Sequence, residues 1–424
     1  GNLLECFFTK PKKNSFLSAP KKMKKLSNSI CKSIFFNQLK KIKYGSITIV
    51  DDKKKHVFGQ GGKLSSTIFV RNNSFYFDVL IGGSIGAADS FIENSWETNN
   101  LTNVIRIMAI NSELTESIES SFNIVVSPIL RFLHYLRRNN KKNSLQNIAK
   151  HYDLSNNFFS EFLDPTMMYS SAIYDGKNDT LNNASINKLK IICEKLKLKK
   201  TDHVIEIGTG WGGFAIYAAT HYGCKVTTTT ISKQQFLYTK NKINKLKLNK
   251  KIKVIFKDYR DLQGSFDKLV SIEMIEAVGH KYYDEYFSKV NSLLKEDGMA
   301  LIQAITIRDQ KYHAALKSVD FIQKYIFPGS CIPSLNILQN SITKSSDMIV
   351  KDVEDIGDHY ATTLMHWRVN FIKNLKHIEI LGFDKEFIRM WLYYFAYCEG
   401  GFREKVINDA HILLAKPMNR DKDI

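Results

Sequence analysis

Cysteine and long apolar runs are both scarce in this sequence. The six cysteines form no Cys-x-x-Cys pair and show no Cys/His spacing typical of a zinc site: Cys6, Cys31, Cys193, Cys224, Cys331 and Cys398. A disulfide-rich secreted scaffold is therefore excluded, and a reducing compartment fits best. No uncharged apolar run reaches the ~18 residues that a membrane-spanning helix needs. The opening GNLLECFFTKPKK is a poor signal peptide, because its lysines follow the apolar stretch.

Acidic residues are in the minority. The 424 residues include 61 Lys and Arg against 42 Asp and Glu, a formal net charge of +19. Residues 1–55 hold fourteen lysines, no arginine and three acids, and residues 240–253 hold seven lysines and no acid. A lysine-rich composition explains part of this excess. Such clusters also suit an anionic partner, which could be nucleic acid, an acidic ligand or lipid headgroups.

Composition divides the chain into three parts. With 44% hydrophobic residues the chain can build cores, and its length suggests two domains or three small ones. Residues 1–30, rich in Lys, Ser, Asn and Pro, are predicted to form a poorly ordered basic tail. We expect a small α+β domain over residues 31–140 and a catalytic domain over residues 141–424, with a linker at 137–144.

The pattern within the first domain predicts a mixture of strands and helices. A short amphipathic helix is predicted at 31–43, and helices at 101–110 and 124–137. Alternation and β-branched residues predict three strands, YGSITIV, KLSSTIFV and SFYFDVL, with a turn at DDKKK after the first. The segment GGSIGAADSFIEN is interpreted as a Gly-rich turn that enters a helix.

Strands and helices alternate in the second domain. The strand-like stretches are DHVIEIG, KVTTTT, IKVIFKD, FDKLVSIEM and MALIQAIT, and helical stretches lie among them. This alternation predicts an α/β fold with a parallel, doubly wound, Rossmann-like sheet.

A glycine-rich turn, Glu206-Ile-Gly208-Thr-Gly210-Trp211-Gly212-Gly213, follows the first of these strands. Such a turn lets a ligand approach the backbone closely, although it could also be purely structural. No Gly-Lys-Ser/Thr follows, so it is not a phosphate loop. The acid two residues before the first glycine is typical of class I methyltransferases that bind S-adenosylmethionine. The second strand lacks the usual ribose-binding acid at its end and has Thr229-Thr230-Ile231-Ser232 there, with Gln235 close behind.

Several long motifs occur together in a fixed order. They are HYDLSNNFFSEFLDPTMMYSSAIY, VIEIGTGWGGFAIYAA, TTISKQQ, KDYRDL, MIEAVG, YIFPGSCIPS, YATTLMHW and YCEGGFRE. In this arrangement the chain resembles the cyclopropane-fatty-acyl-phospholipid synthase family over residues 145–410, as a divergent branch. The segment 44–110 is similar to the small N-terminal domain of full-length members.

The resemblance implies an enzyme that transfers a methyl group from S-adenosylmethionine to a cis double bond in an acyl chain of a membrane phospholipid. A carbocation forms, and a base removes a proton to close the ring; in the family a bound bicarbonate ion does this. The cofactor-binding positions implied are Tyr169, Ser170, Glu206, Gly208, Gly210, Trp211, Gly212, Thr230, Ser232, Gln235 and Tyr259. No metal is implied.

The catalytic positions implied by the resemblance centre on the bicarbonate site. Glu276 and Tyr360 match its glutamate and tyrosine. Ser171 and Gln303 stand where the family has a cysteine and a histidine, which puts the product in doubt: it could be cyclopropane, methyl-branched or methylene-branched. Cys398 matches a cysteine called the active-site cysteine, but the chemistry has no acyl or thioether intermediate, so a small buried cysteine is the favoured interpretation.

An insertion at 311–334 is predicted to cover the acyl pocket as a helical lid. Aromatic side chains there and near the C-terminus are candidates for an apolar tunnel, or for ordinary core: Tyr312, Phe321, Tyr325, Phe327, Trp391, Tyr393, Tyr394, Phe395 and Tyr397.

Partners and location follow from the same resemblance. We expect a cytoplasmic protein that associates peripherally with the inner face of a phospholipid bilayer, and a homodimer by analogy with the family. A nucleic-acid partner is not expected, because no DNA- or RNA-binding module is visible. The alternatives are a methyltransferase acting on nucleic acid or a soluble metabolite, and a non-catalytic lipid-binding relative.

Overall fold

The N-terminal part of the protein is a small α+β unit. The computed structural model describes residues 21–112, 154–177 and 179–420. The first of these ranges contains helix α1 (Lys21–Leu39), strands β1 (Ser46–Asp51), β2 (Lys54–Gly59) and β3 (Ser65–Val70), helix α2 (Ser74–Ile92), strand β4 (Trp96–Thr98) and helix α3 (Leu101–Ile110). The sheet order is β2-β1-β3-β4, in which only the β1–β3 pair is parallel.

Three local predictions for this unit differ from the structure. Helix α1 begins at Lys21, so the predicted boundary at residue 30 falls inside a helix. The SFYFDVL segment is not a strand but the start of α2, where the buried residues Phe75, Tyr76, Val79 and Leu80 follow helical spacing. Burial on a helix face has overridden the strand preference of its aromatic residues.

The third difference is strand β2, which the sequence analysis missed. The predicted turn at DDKKK is shorter than expected, because Asp52 and Lys53 alone, with φ of 46° and 65°, form the hairpin connection between β1 and β2. The predicted helix at 124–137, the linker at 137–144 and the domain boundary at 140 all lie outside the described residues.

The second unit has the predicted α/β fold. Its strands are β5 (His203–Ile207), β6 (Lys225–Thr230), β7 (Ile252–Phe256), β8 (Phe266–Ile272), β9 (Leu294–Ile307), β10 (Ile349–Asp355) and β11 (Ile407–Ala415). Its helices are α4 (Asn156–Ser160), α5 (Leu181–Lys195), α6 (Gly213–His221), α7 (Lys233–Lys245), α8 (Tyr283–Leu293), α9 (Asp309–Ala315), α10 (Leu335–Ser345), α11 (Gly357–Lys373), α12 (Leu375–Ile380) and α13 (Lys385–Arg403).

The seven-stranded sheet has the order β10-β11-β9-β8-β5-β6-β7. Strands β5 to β9 are parallel, and β11 and β10 add an antiparallel pair beyond β9. The chain winds from β5 outward to β7 and then returns to β8 and β9. The topological switch point therefore lies between β5 and β8, where the carboxyl ends of the strands open a cleft.

Helix α13 joins the two units. It packs against α2 and α3, and Arg389 on it donates hydrogen bonds to the carbonyls of Phe91 (2.6 Å) and Trp96 (3.0 Å). Asp89 on α2 pairs with Lys324 at 2.9 Å. One hydrophobic core runs through both units. The N-terminal unit therefore packs directly against the unit that contains the seven-stranded sheet.

Helix α2 is the one described helix that is long and apolar enough to cross a membrane. In the most apolar stretch of 18 residues in this helix, 56% is buried inside the protein. Its backbone also leaves the helical conformation at Gly83 (φ 55°, ψ −136°). Its burial is that of a core helix.

Candidate active site

The glycine turn between β5 and α6 leaves room for a ligand beside its backbone. Gly208, Gly210 and Gly212 have φ of 94°, 51° and 86°, a region that favours glycine. A Cβ at Gly208 would collide with Met274, and one at Gly212 would lie 2.7 Å from Thr239, whereas one at Gly210 would meet no atom within 4 Å. The turn is thus tightly packed at both ends and open in the middle, which fits a nucleoside cofactor such as S-adenosylmethionine.

Trp211 connects this turn to the segment before α5. Its indole Nε1 donates to Asn156 Oδ1 at 2.7 Å, and its ring packs against Phe159 at 5.0 Å. Phe159 in turn packs against Tyr169 at 5.1 Å. Tyr169, predicted to touch the cofactor, is therefore held near the turn by a chain of aromatic contacts.

Glu206 lies beneath the turn. Its buried carboxylate accepts a hydrogen bond from Thr228 Oγ1 at 2.6 Å, and Thr228 bonds the hydroxyl of Thr209 at 2.7 Å. Burial raises the pKa of Glu206 to about 8. The structure thus shows Glu206 tying β5, β6 and the turn together, and its contact with the cofactor stays a prediction.

Polar side chains gather at the carboxyl end of β6. Thr230 Oγ1 donates to Gln235 Oε1 at 3.1 Å and accepts from the Ser232 N–H at 3.0 Å. The Ser232 hydroxyl caps α7 by accepting from the Gln235 N–H. Tyr259, just past β7, packs edge-on against Tyr286 at 5.5 Å. These are the side chains expected beside the ribose and adenine.

A carboxylate that the sequence analysis did not single out lies at the centre of the site. Glu273 follows β8 directly with φ of 50°, a left-handed conformation that is strained for a residue with a Cβ. Its Oε1 accepts from the Ser171 N–H at 2.9 Å and from Gln303 Nε2 at 2.8 Å. Its Oε2 accepts from the Tyr360 hydroxyl at 2.8 Å. Donors from three separate elements therefore converge on one side chain.

The expected bicarbonate site does not fit these residues. Ser171, Gln303 and Tyr360 were assigned to the anion, yet each already bonds Glu273. Glu276, the fourth member, accepts from the Ile305 N–H at 2.5 Å, and its Oε2 has no hydrogen-bond partner among the described residues. An anion at the same donors would place a second negative charge against the Glu273 carboxylate, which is unfavourable.

Two residues of β11 extend the network. Gln303 Nε2 also donates to Asp409 Oδ2 at 2.9 Å, and Gln303 Oε1 accepts from His411 Nε2 at 3.1 Å. Burial and the charge of Glu273 raise the pKa of Asp409 well above its usual range, which favours the neutral acid beside Glu273. Burial lowers the pKa of His411 well below its usual range, which keeps the imidazole neutral.

One buried lysine offsets these acids. Lys188 on α5 is fully buried, and its Nζ donates to Ser170 Oγ at 2.6 Å. Burial lowers the pKa of Lys188 to about 8, against the opposing effect of the Glu273 charge. Lys188 therefore links the predicted cofactor residue Ser170 to the carboxylate network.

Cys398 faces the cavity described below. Burial raises the pKa of its thiol well above the ordinary value, which disfavours the nucleophilic thiolate. Tyr169 and Tyr394, which line the same cavity, share a hydrogen bond of 3.1 Å between their hydroxyls. A catalytic role for Cys398 stays a prediction, and its surroundings suit a cavity wall better.

An apolar cavity of about 910 Å³ joins the two units at the carboxylate cluster. Its volume lies near the top of the range for ligand pockets, about 300–1,000 Å³. The N-terminal unit contributes, among others, Phe35, Leu39, Phe75, Val79, Trp96 and Met108. The catalytic unit contributes, among others, Ile305, Leu316, Ile326, Leu364 and Phe402, together with Glu273, Glu276 and Tyr360.

The aromatic candidates divide into two groups. Those that line the cavity are Tyr312, Phe327, Tyr393, Tyr394 and Tyr397. Those that are buried in the surrounding core are Phe321, Tyr325, Trp391 and Phe395. The insertion at 311–334, with α9 and the single π-helical turn Ile322–Ile326, forms part of the cavity wall.

The sequence analysis missed four residues of the network: Glu273, Lys188, Asp409 and His411. Each has a feature in the sequence that could have identified it. Glu273 lies just past the fourth parallel strand, three residues before a second acid, Glu276. Lys188 falls on the apolar spacing of α5, where a charge is unusual. Asp409 and His411 interrupt the last apolar strand at alternate positions, on one face of the sheet.

Comparisons with known proteins agree with this architecture. The chain is 35% identical over 352 residues to the cyclopropane-fatty-acyl-phospholipid synthase of Escherichia coli, covering 82% of this chain and 87% of that protein. It is 33% identical over 328 residues to a tuberculostearic acid methyltransferase of Mycobacterium tuberculosis, covering 76% of each chain.

A solved relative gives the same fold. The structure of a mycolic acid cyclopropane synthase complexed with SAH and CTAB superposes with a TM-score of 0.59 at 29% identity, over 64% of this chain and 98% of that one. The family described as mycolic acid cyclopropane synthetase matches residues 139–412. The chain therefore belongs to the mycolic acid cyclopropane synthetase family and is a class I, S-adenosylmethionine-dependent methyltransferase.

Proposed function

We propose that the protein transfers a methyl group from S-adenosylmethionine to the cis double bond of an unsaturated acyl chain in a membrane phospholipid. The product is a cyclopropane, methyl-branched or methylene-branched chain. Two of the relatives named above modify acyl lipids by name, which supports this class of substrate.

The cavity is the observation that carries the proposal. It is long enough to draw residues from both units, and its walls are mostly apolar. Its charged lining residues are Glu273 and Glu276 of the carboxylate cluster and Asp320 of the lid segment. A hydrocarbon chain matches such walls, whereas a nucleotide or a polar metabolite would leave buried polar groups unpaired. The N-terminal unit is thus part of the substrate site as well as a neighbour of the catalytic sheet.

The residues of the site suit a reaction that passes through a carbocation. S-adenosylmethionine supplies an electrophilic methyl group when bound. The turn at Gly210 and the Tyr169–Ser170 segment would orient that donor, since an alkene is a weak nucleophile that needs close alignment. The apolar walls exclude water, which would otherwise capture a carbocation, and the Glu273 carboxylate at the cavity wall favours positive charge nearby.

The proposal is tested with vesicles and labelled donor. The protein is incubated with S-adenosylmethionine labelled in its methyl group and with phospholipid vesicles whose acyl chains are either cis-unsaturated or saturated. We expect label only in the unsaturated lipid, with a mass gain of one CH₂ unit per modified chain by mass spectrometry. Cofactor binding without label in either lipid would contradict the proposal.

A further inference from the structure

We propose that the carboxylate of Glu273 is the base of this reaction, in place of a bound anion. The inference rests on the proposed function and deepens it by naming the group that removes the proton. It begins from the site's own geometry, in which Ser171, Gln303 and Tyr360 all donate to Glu273. The side chain lines the cavity where the acyl chain would lie.

The backbone holds Glu273 in place at an energetic cost. A left-handed φ of 50° is strained for a residue with a Cβ, and such strain persists mainly where the surroundings enforce it. Its N–H donates to the Gln303 carbonyl at 2.8 Å, which pins it to β9. The same strand therefore fixes the backbone of Glu273 and, through the Gln303 amide, its carboxylate.

The neighbouring acids are less suited to the task. Asp409 does not line the cavity, and burial and the charge of Glu273 raise its pKa well above the usual range, which favours its neutral form. Burial, and then the charge of Glu273, raise the pKa of Glu276 to about 8, so this carboxyl is protonated at neutral pH. Burial raises the pKa of Glu273 as well, but its contacts differ from those of Glu276. Ser171, Gln303 and Tyr360 all donate to its carboxylate, and such bonds favour the ionised form.

The proposed step balances without a further reagent. The alkene π pair forms the new bond to the methyl carbon as the sulfur–methyl bond breaks, with its electron pair left on sulfur. One alkene carbon becomes a cation. The Glu273 carboxylate then takes a proton from the new methyl group, and that C–H pair closes the three-membered ring. If a hydride first shifts to the cation from the methyl-bearing carbon, the same proton loss gives a methylene branch.

The position allows a sharp test, because glycine accepts φ of 50° freely. Glu273→Gly removes the base, relieves the strain and leaves three donors open to an added anion. In buffer freed of carbon dioxide, we expect the unmodified protein to turn over equally with and without bicarbonate. Glu273→Gly should lose at least ~10²-fold in turnover, and added bicarbonate should restore part of it. Asn94→Gly, at an exposed residue with φ of 61°, is the matched control.

A second variant separates chemistry from structure. Glu273→Gln keeps the shape of the side chain but cannot take up a proton, so kcat should fall while the Kd for S-adenosylmethionine, measured by calorimetry, stays unchanged. Equal loss of cofactor affinity would make Glu273 a structural residue and overturn the inference.

The outcomes for the two proposals remain distinct. If the unmodified protein methylates no lipid, the proposed function fails. If it methylates lipid only when bicarbonate is added, or if Glu273→Gly works as well as the unmodified protein without bicarbonate, the function stands and Glu273 is not the base.

Discussion

At the scale of single residues, the raised pKa of Glu276 makes the stability of the protein depend on pH. The pKa of Glu276 is raised from 4.5 to about 8, mainly by burial. A group with a raised folded-state pKa adds stability below its unfolded pKa, and that stability is lost as the pH rises through the folded value. Glu276 therefore stabilises the protein at acidic pH and loses this contribution between pH 4.5 and about 8.

We expect Glu276→Gln, which is neutral at every pH, to remove this contribution. The Tm of the variant minus that of the unmodified protein should rise as the pH increases from about 5 to about 8, by thermal denaturation without cofactor. Glu285→Gln, on the exposed side of α8, is the control for loss of a carboxylate. A difference in Tm that stays flat for Glu276→Gln would show that Glu276 is not buried as a neutral acid.

At the scale of elements, helix α2 connects the N-terminal unit to the chemistry. It presents Gly83, Ser84 and Ala87 to the cavity, while Asp89, two residues further on, pairs with Lys324 of the lid segment. A helix that lines the cavity on one face and holds the lid near its end is well placed to set the space available for an acyl chain.

We expect Ala87→Phe to shift the protein toward shorter chains. The larger ring would fill part of the cavity that the N-terminal unit lines, while leaving the carboxylate cluster unchanged. Vesicle lipids of two acyl lengths compete as substrates in the test. The ratio of modified long to modified short chains should fall about tenfold, because a pocket that excludes one methylene group discriminates by about 1–3 kcal/mol. The short chain is the internal control. An unaltered ratio would place the acyl chain elsewhere.

At the scale of the whole molecule, the net charge of +19 reflects either an anionic partner or a lysine-rich composition. Several lysines of 240–253 are exposed on α7, in the loop after it and on β7: Lys240, Lys245, Lys247, Lys250 and Lys253. Of the lysines in residues 1–55, the structure describes only part. We propose that these lysines dock the protein on an anionic bilayer, where each contributes ~1 kcal/mol.

We expect binding to anionic phospholipid vesicles to weaken as salt rises, because salt screens exposed charges. Replacing Lys240, Lys245, Lys247 and Lys250 with Glu should lower the vesicle-bound fraction in a sedimentation assay and leave turnover on detergent-dispersed lipid unchanged. Lys376→Glu, at an exposed lysine of α12, serves as the comparison for one charge reversal. If neither salt nor the four charge reversals changed vesicle binding, the excess of lysine would reflect composition alone.

The sequence by itself determined the parallel sheet, the glycine turn and the family. Each depends on local order: strand and helix periodicities are short-range, and the turn needs glycine at Gly208, Gly210 and Gly212 because their φ angles are positive. Local pattern failed where burial decided the outcome, as in the start of α2, which alternation and residue type predicted to be a strand.

Only the tertiary structure decided what the centre of the site is. Ser171, Gln303 and Tyr360 were named from the sequence, but their common partner is Glu273. The network spans a loop, two neighbouring parallel strands, an antiparallel strand and a helix, so no spacing along the chain encodes it. A carboxylate becomes a candidate base only when burial, Lys188 and converging donors surround it, and those are properties of the folded interior.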